Sequence, residues 1–226
     1  MAYKIPAIFN PNLVVNYYED FISSHPGWTS DHGFEFNQIG TSANPGQVSG
    51  VAGGSSGGGY LFFANPSGLA AVPGLPFVLG SGSFNLNMVL NLVALSNASN
   101  DYTMYLGFGN NLPSLILPTD GIWFQYNHAV NGGKWQIVTS NSSVQTVHDS
   151  GILASTGFHN YGIQVNPNAT SVSFTIDKNI VSNIPITTNI PSVDLTFGLI
   201  YVLNLGVAPN FLVDLVYYTQ TLINSR

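Results

Sequence analysis

The acidic side chains are the first candidates for chemistry, because two carboxylates facing each other can cleave a glycosidic bond. The 226-residue chain has ten acidic residues, of which only Glu19 and Glu35 are glutamates. No Glu-X-Asp spacing, which would place two carboxylates on one side of a strand, occurs in the sequence. Asp120 precedes a glycine and Asp177 precedes a Lys-Asn pair, as turn residues do. The acids therefore predict turns rather than a catalytic pair.

Histidine and serine offer a second chemistry, nucleophilic catalysis. The five histidines show no His-X-His spacing, and neither cysteines nor an Asp-X-Asn-X-Asp calcium loop is present. The composition leaves a Ser-His-Asp group open, but no spacing selects one. We therefore expect a protein that is not an enzyme and that holds no metal ion and no cofactor.

Aromatic and amide side chains around one predicted hairpin are candidates for sugar binding, because sugar faces are apolar and their rims carry hydroxyl groups. The candidate contacts are Asn110, Trp123, Tyr126, Asn127, His128 and Trp135. The alternative is that Trp123 and Trp135 lie in strands as core residues or cross-strand pairs. Both interpretations stay open on the residues alone.

Strands must position all of these side chains, because helix-favouring segments are nearly absent from the sequence. Apolar residues at every second position from Phe84 to Leu92 predict a strand with one buried face. About twelve short segments of strand type, joined by turns rich in Gly, Asn and Pro, predict an all-β fold, an antiparallel β-sandwich. We expect an extended N-terminal arm at residues 1–16 and a single domain at residues 17–226.

Charge is scarce in this chain. It has 4 basic and 10 acidic residues, a net charge of −6 and only 6% charged residues, against about 25% in ordinary domains. This excludes nucleic-acid binding and attachment to membranes through a basic patch. No run of 18 apolar residues predicts a membrane span, and the N-terminus shows no apolar secretory segment. A neutral surface on a chain that is 45% hydrophobic predicts partners and a homo-oligomer.

A succession of segments goes beyond generic strand patterns. The segments are residues 101–109 (DYTMYLGFG), 118–126 (PTDGIWFQY), 158–166 (FHNYGIQVN), 170–177 (TSVSFTID) and 211–218 (FLVDLVYY). Their order resembles the concanavalin A-like (laminin-G-like) jelly-roll modules of bacteriophage virion structural proteins, over about residues 17–220.

The resemblance implies a jelly roll of two antiparallel sheets and a non-enzymatic virion structural protein. It would be a capsid decoration (cement) protein or a tail or fibre component, made in the host cytoplasm and placed in the virion. Its partners would be other capsid or tail proteins, and its arm would bind a neighbour through Tyr3, Ile5, Pro6, Ile8, Phe9 and Pro11. The alternative is a lectin-like carbohydrate-binding module or an adhesin for host-surface glycans.

Overall fold

The structure is a computed structural model. The residues that it describes are 14–20, 28–31, 34–38, 47–52, 59–63, 79–110, 117–181, 185–193, 195–205 and 210–222. The predicted contacts of the arm, from Tyr3 to Pro11, lie outside these residues.

Two antiparallel sheets face each other in a jelly-roll β-sandwich, which confirms the predicted fold class. Among the described residues the strands are β1 (Val14–Glu19), β2 (Trp28–Asp31), β3 (Phe34–Gln38), β4 (Val48–Ala52), β5 (Gly59–Phe63), β6 (Gly82–Leu92), β7 (Asp101–Gly109), β8 (Gly121–Tyr126), β9 (Lys134–Asn141), β10 (Val144–Leu153), β11 (Gly157–Val165), β12 (Val172–Ile176), β13 (Asn179–Ile180), β14 (Thr196–Leu205) and β15 (Asn210–Leu222).

The strands form an eight-stranded and a seven-stranded sheet. In the first, the order is β13-β12-β11-β6-β15-β4-β3, and β1 also pairs with β15. In the second, the order is β10-β9-β8-β7-β14-β5-β2. One 3₁₀ turn, Asn131–Gly133, precedes β9 and confirms the predicted hairpin connection between β8 and β9.

The core lies between the two sheets and is rich in aromatic rings. The Phe124 ring of the seven-stranded sheet lies 5.1 Å from Phe174 and 5.4 Å from Tyr161 of the other sheet, both edge to face. Phe84 meets Phe108 in the same way at 4.9 Å. Edge-to-face packing of this kind adds to the stabilisation that burial of the rings supplies.

Two segments depart from the predicted organisation. Val14–Glu19 forms β1 and pairs with β15, so residues 14–16 of the predicted arm belong to a strand of the eight-stranded sheet. Val48–Ala52 forms β4 within residues 40–59, whose Gly and Ser content predicts either a flexible loop or a tight packing of glycine-lined backbone. At both positions the pairing with β15 outweighs the local sequence preference, because backbone hydrogen bonds to a neighbouring strand stabilise an extended chain with almost any side chains.

The connections between strands gather at two opposite ends of the sandwich, because the strands run antiparallel. Residues 93–100, 127–133, 154–156 and 177–178 share one end, which carries His128 and His159 and is called here the histidine end. Asn110 and residues 117–120, 142–143 and 166–171 lie at the other end.

Within the described part of the chain, no helix has the length and apolar character that crossing a bilayer requires. Nor do the described His, Asp and Glu side chains form a cluster of three or more that would hold a metal ion.

Candidate functional site

Tyr126 and Trp135 point into the core. Trp135 is only 1% exposed, and its ring lies 4.9 Å from Tyr161 and 5.4 Å from Tyr126. Neither ring is open to a sugar, so the structure corrects their assignment as carbohydrate contacts. The physical reason is strand alternation, which places Tyr126 on the same face as the buried Phe124.

Asn127 is buried, and its side-chain amide hydrogen-bonds to neighbouring residues of the protein. Its Nδ2 donates to Asp101 Oδ1 at 2.7 Å and to the carbonyl oxygen of Tyr102 at 3.0 Å, while its Oδ1 accepts from the Ala129 N–H at 2.8 Å. These bonds hold the loop after β8 against the start of β7. The structure therefore assigns Asn127 a place in the scaffold instead of a sugar contact.

His128 lies nearby, partly exposed, in a group with Ser96 and Asp101. Its Nδ1 lies 2.9 Å from Ser96 Oγ and 3.3 Å from Asp101 Oδ1. A catalytic triad needs the serine on one ring nitrogen and the carboxylate on the other. Here both partners meet the same nitrogen, and Ser96 is buried with its Oγ accepting from the Tyr102 N–H. This group cannot activate its serine.

Asn110 lies at the end of the sandwich opposite to Asn127 and His128. Its Nδ2 donates to Asp120 Oδ2 at 2.9 Å, and Asp120 Oδ1 accepts from the Ser142 N–H at 2.8 Å. Asp120 is thus a buried turn residue that joins two loops, as its position before a glycine predicts. The candidate contacts taken from the sequence are not brought together.

Trp123 points away from the core, onto the outer face of the seven-stranded sheet. Its ring lies against Gly121, where an added Cβ would approach Trp123 Cζ3 to 2.8 Å. The side chain is only 2% exposed, and no described residue accepts a hydrogen bond from its Nε1. A buried N–H without a partner costs about 1–3 kcal/mol, so this face holds an unused donor.

Beside Trp123, three polar side chains form one row on the same outer face. In the register of the strands, Tyr105 of β7 is opposite Gln125 of β8, which is opposite Gln136 of β9. All three are partly exposed, and none forms a hydrogen bond with another side chain or backbone group that the structure describes. Tyr105, Gln125 and Gln136 are called here the amide row.

The electrostatics of the amide row are set by one phenol and one neighbouring carboxylate. Burial raises the pKa of Tyr105, so its hydroxyl remains a donor at neutral pH. Asp149, opposite Gln136 in β10, accepts from Asn131 at 2.8 Å and pairs with Lys134 at 3.2 Å. The hydrogen bond from Asn131 is the largest of the contacts that lower the pKa of Asp149, so its carboxylate is ionised at neutral pH.

The sequence contained the signal for the amide row. In β8, Ile122, Phe124 and Tyr126 alternate with Trp123 and Gln125. Strand alternation therefore separates Trp123 from Tyr126, and it would have indicated Gln125 as an outward polar residue next to Trp123.

Comparison with known proteins places the fold but not a family. No protein-family model matches the chain, and no curated protein matches it. Among solved structures, a β-glucanase of Bacillus licheniformis aligns with a TM-score of 0.55 and 18% identity, covering 90% of this chain and 97% of that one. Peanut lectin aligns with a TM-score of 0.60 and 13% identity, covering 93% and 99%.

A third structure, the carbohydrate recognition domain of Emp47p, aligns with a TM-score of 0.61 and 13% identity over 90% of this chain and 95% of that domain. These neighbours are concanavalin A-like lectin and glucanase jelly rolls, which confirms that part of the resemblance. The bacteriophage origin stays a prediction.

The prediction that the chain is not an enzyme is wrong, because absent motifs do not exclude catalysis on a fold that enzymes share. A β-glucanase shares the fold over nine-tenths of the chain. The missing Glu-X-Asp spacing excludes one arrangement of catalytic acids and leaves other chemistry on the same scaffold open.

Proposed function

We propose that the chain binds a neutral glycan on the outer face of its seven-stranded sheet, through the amide row. The observation that carries this proposal is the row itself, three partly exposed polar side chains on neighbouring strands with no hydrogen-bond partner in the described structure. A sugar hydroxyl both donates and accepts hydrogen bonds. The amides of Gln125 and Gln136 offer both functions, and the Tyr105 phenol adds another.

The dimensions and the charge of the row favour this ligand class. Three adjacent strands span two interstrand spacings, about 10 Å, which is comparable to a disaccharide. The row contains no charged side chain, and the chain as a whole has only 6% charged residues. Neutral hydroxyl-rich ligands fit such a surface better than phosphates or uronates, which call for Lys or Arg.

One further feature supports the proposal. The carbohydrate recognition domain of Emp47p and peanut lectin share the fold, although identity of 13% carries the architecture alone.

Binding to an array of neutral oligosaccharides, followed by calorimetric titration of the best one, tests the proposal. Gln125→Ala should weaken binding at least about tenfold, because a buried amide pair to a hydroxyl is worth about 1.4 kcal/mol or more. The matched control is Gln164→Ala, an exposed glutamine of β11 on the outer face of the other sheet. Equal affinity of the two variants, or no binding by the unaltered chain, would contradict the proposal.

The virion location, the capsid or tail partners and the homo-oligomeric assembly stay predictions from the sequence. No comparison bears on them, and the arm residues that would make the contacts, from Tyr3 to Pro11, lie outside the described residues.

A further inference from the structure

The histidine end carries a second Ser-His-Asp group, with a different geometry from the group at His128. Ser155 Oγ lies 2.8 Å from His159 Nε2, and His159 Nδ1 lies 2.6 Å from Asp177 Oδ2. The serine and the carboxylate thus meet opposite nitrogens of one imidazole. This is the arrangement in which a histidine can remove the serine proton while the carboxylate orients the ring.

The fold holds each member of this group on a different element. Ser155 lies in the three-residue connection between β10 and β11, and His159 lies in β11. Asp177 begins the turn between β12 and β13, where Asp177 and Lys178 have φ values of 50° and 68°. Two consecutive positive φ values are typical of the tight type I′ hairpin turn, which fixes the position of the Asp177 side chain.

Asp177 is anchored as an orienting carboxylate requires. Its Oδ1 accepts from the Asn160 N–H at 2.8 Å, which leaves Oδ2 for the imidazole. Partial burial acts to raise the pKa of Asp177, but the hydrogen bonds from Asn160 and His159 outweigh it and bring the pKa below its ordinary value. The carboxylate is therefore ionised at neutral pH, and His159 Nδ1 carries the proton of their hydrogen bond.

We propose that Ser155 is the nucleophile of an ester-hydrolysing site, with His159 as general base and Asp177 as the positioning residue. Ser155 Oγ attacks the ester carbonyl carbon while its proton passes to His159 Nε2. The C–O bond to the alcohol then breaks, and the alcohol leaves with that proton. Water attacks the acyl-serine with His159 again as base, which releases the carboxylic acid and restores the Ser155 hydroxyl.

Donors for the developing oxyanion are available beside the nucleophile. The backbone N–H groups of Ser155 and Thr156 make no hydrogen bond to any residue that the structure describes. In serine hydrolases the N–H of the nucleophile or of the next residue commonly contributes to the oxyanion hole.

The surroundings indicate the kind of ester. Ser155 is exposed at the tip of a connection, so an ester group that projects from a larger molecule can reach it. Leu153, two residues before Ser155 in the chain, is 63% exposed and adds apolar surface next to this connection. We expect a short-chain ester such as an acetyl ester of an uncharged alcohol.

A fluorophosphonate reagent and p-nitrophenyl acetate test the proposal on the full chain. The reagent should bond covalently to Ser155 Oγ with loss of fluoride, and peptide mass spectrometry locates the label. Ser155→Ala and His159→Gln should abolish the label and lower the catalysed hydrolysis of p-nitrophenyl acetate about 100-fold. Asp177→Asn should lower kcat while KM stays unchanged, because it disturbs the ring and not the acyl contact.

Matched controls separate this site from ordinary surface chemistry. Ser99→Ala removes another exposed serine of the histidine end, and His128→Gln removes the histidine whose two partners share one nitrogen. Both variants should keep label and turnover, with melting temperatures verifying that all variants fold. A label elsewhere than on Ser155, no label at all, or equal turnover in Ser155→Ala and Ser99→Ala would overturn the proposal.

Discussion

At the histidine end, Asn127 holds the loop after β8 against the start of β7, and its replacement by aspartate tests that role. Its Nδ2 donates to Asp101 Oδ1 at 2.7 Å and to the carbonyl oxygen of Tyr102 at 3.0 Å. Asn127→Asp keeps the shape of the side chain but replaces the donating nitrogen by an oxygen. The introduced carboxylate then faces the carboxylate of Asp101 at hydrogen-bond distance.

The magnitude follows from this distance. Two unit charges 2.7 Å apart repel by about 6 kcal/mol at an effective dielectric constant of about 20. The Asp101 side chain is 26% exposed, so solvent screens part of the repulsion, and we expect a loss of roughly 3 kcal/mol in the free energy of unfolding. In a domain of this size that loss lowers Tm by about 6–12 °C.

The penalty depends on pH. Repulsion raises the pKa of the introduced carboxyl group in the folded state above its unfolded value of about 3.9. A group whose folded pKa is raised costs little stability below the unfolded pKa and more as the pH rises. The Tm difference from the unaltered chain should therefore be small near about pH 4 and large near about pH 7.5.

Thermal unfolding followed by circular dichroism at both pH values measures the effect. The matched control is Asn97→Asp, which adds the same charge at an exposed turn of the same end. Asn97 Oδ1 accepts from the N–H groups of Ser99 and Asn100 at 2.9 and 3.0 Å, a role that a carboxylate keeps. If both variants melt at the same temperature at neutral pH, Asn127 does not hold this end together.

Two further predictions concern packing and pH. Gly121→Ala should lower the free energy of unfolding, measured in urea, by about 1–3 kcal/mol, because the added Cβ would meet the Phe108 backbone oxygen at 2.3 Å. Unchanged stability would show that β7 and β8 have room for the methyl group. Asp177→Asn should lower Tm at neutral pH, since a carboxylate with a depressed folded pKa contributes stability above its unfolded pKa. That Tm difference should vanish as the pH falls through the folded pKa of Asp177, and a difference that persists in acid would refute the assignment.

Alternation along single strands carried most of what the sequence could reveal about the fold. Residues Phe84 to Leu92 have the buried face that their pattern predicts, and they form β6 in the middle of the eight-stranded sheet. The same rule distinguishes Trp123 from Trp135, since Phe124 between the sheets requires its neighbour Trp123 to point outward. The sequence prediction grouped the two tryptophans by residue type instead of by strand face, and so placed them wrongly together among the candidate sugar contacts.

Pairing between distant strands could not be deduced in this way. Residues 48–52 are rich in Gly, Ser and Val and lack a periodic pattern, yet they form β4 because β15 offers an open edge to pair with. The amide row likewise depends on register, because a shift of β9 by one residue would turn Gln136 into the core.

At the histidine end, too, the sequence alone could not predict the decisive feature, which is the position of single atoms. His128 and His159 each have a serine and an aspartate within reach, so composition and proximity treat them alike. What separates them is which ring nitrogen each partner meets. That choice is made for His159 by the turn at Asp177, which approaches the ring from the side opposite to Ser155. Because the turn belongs to β12 and β13, only the pairing of β12 with β11 decides that His159, and not His128, has the geometry of a general base.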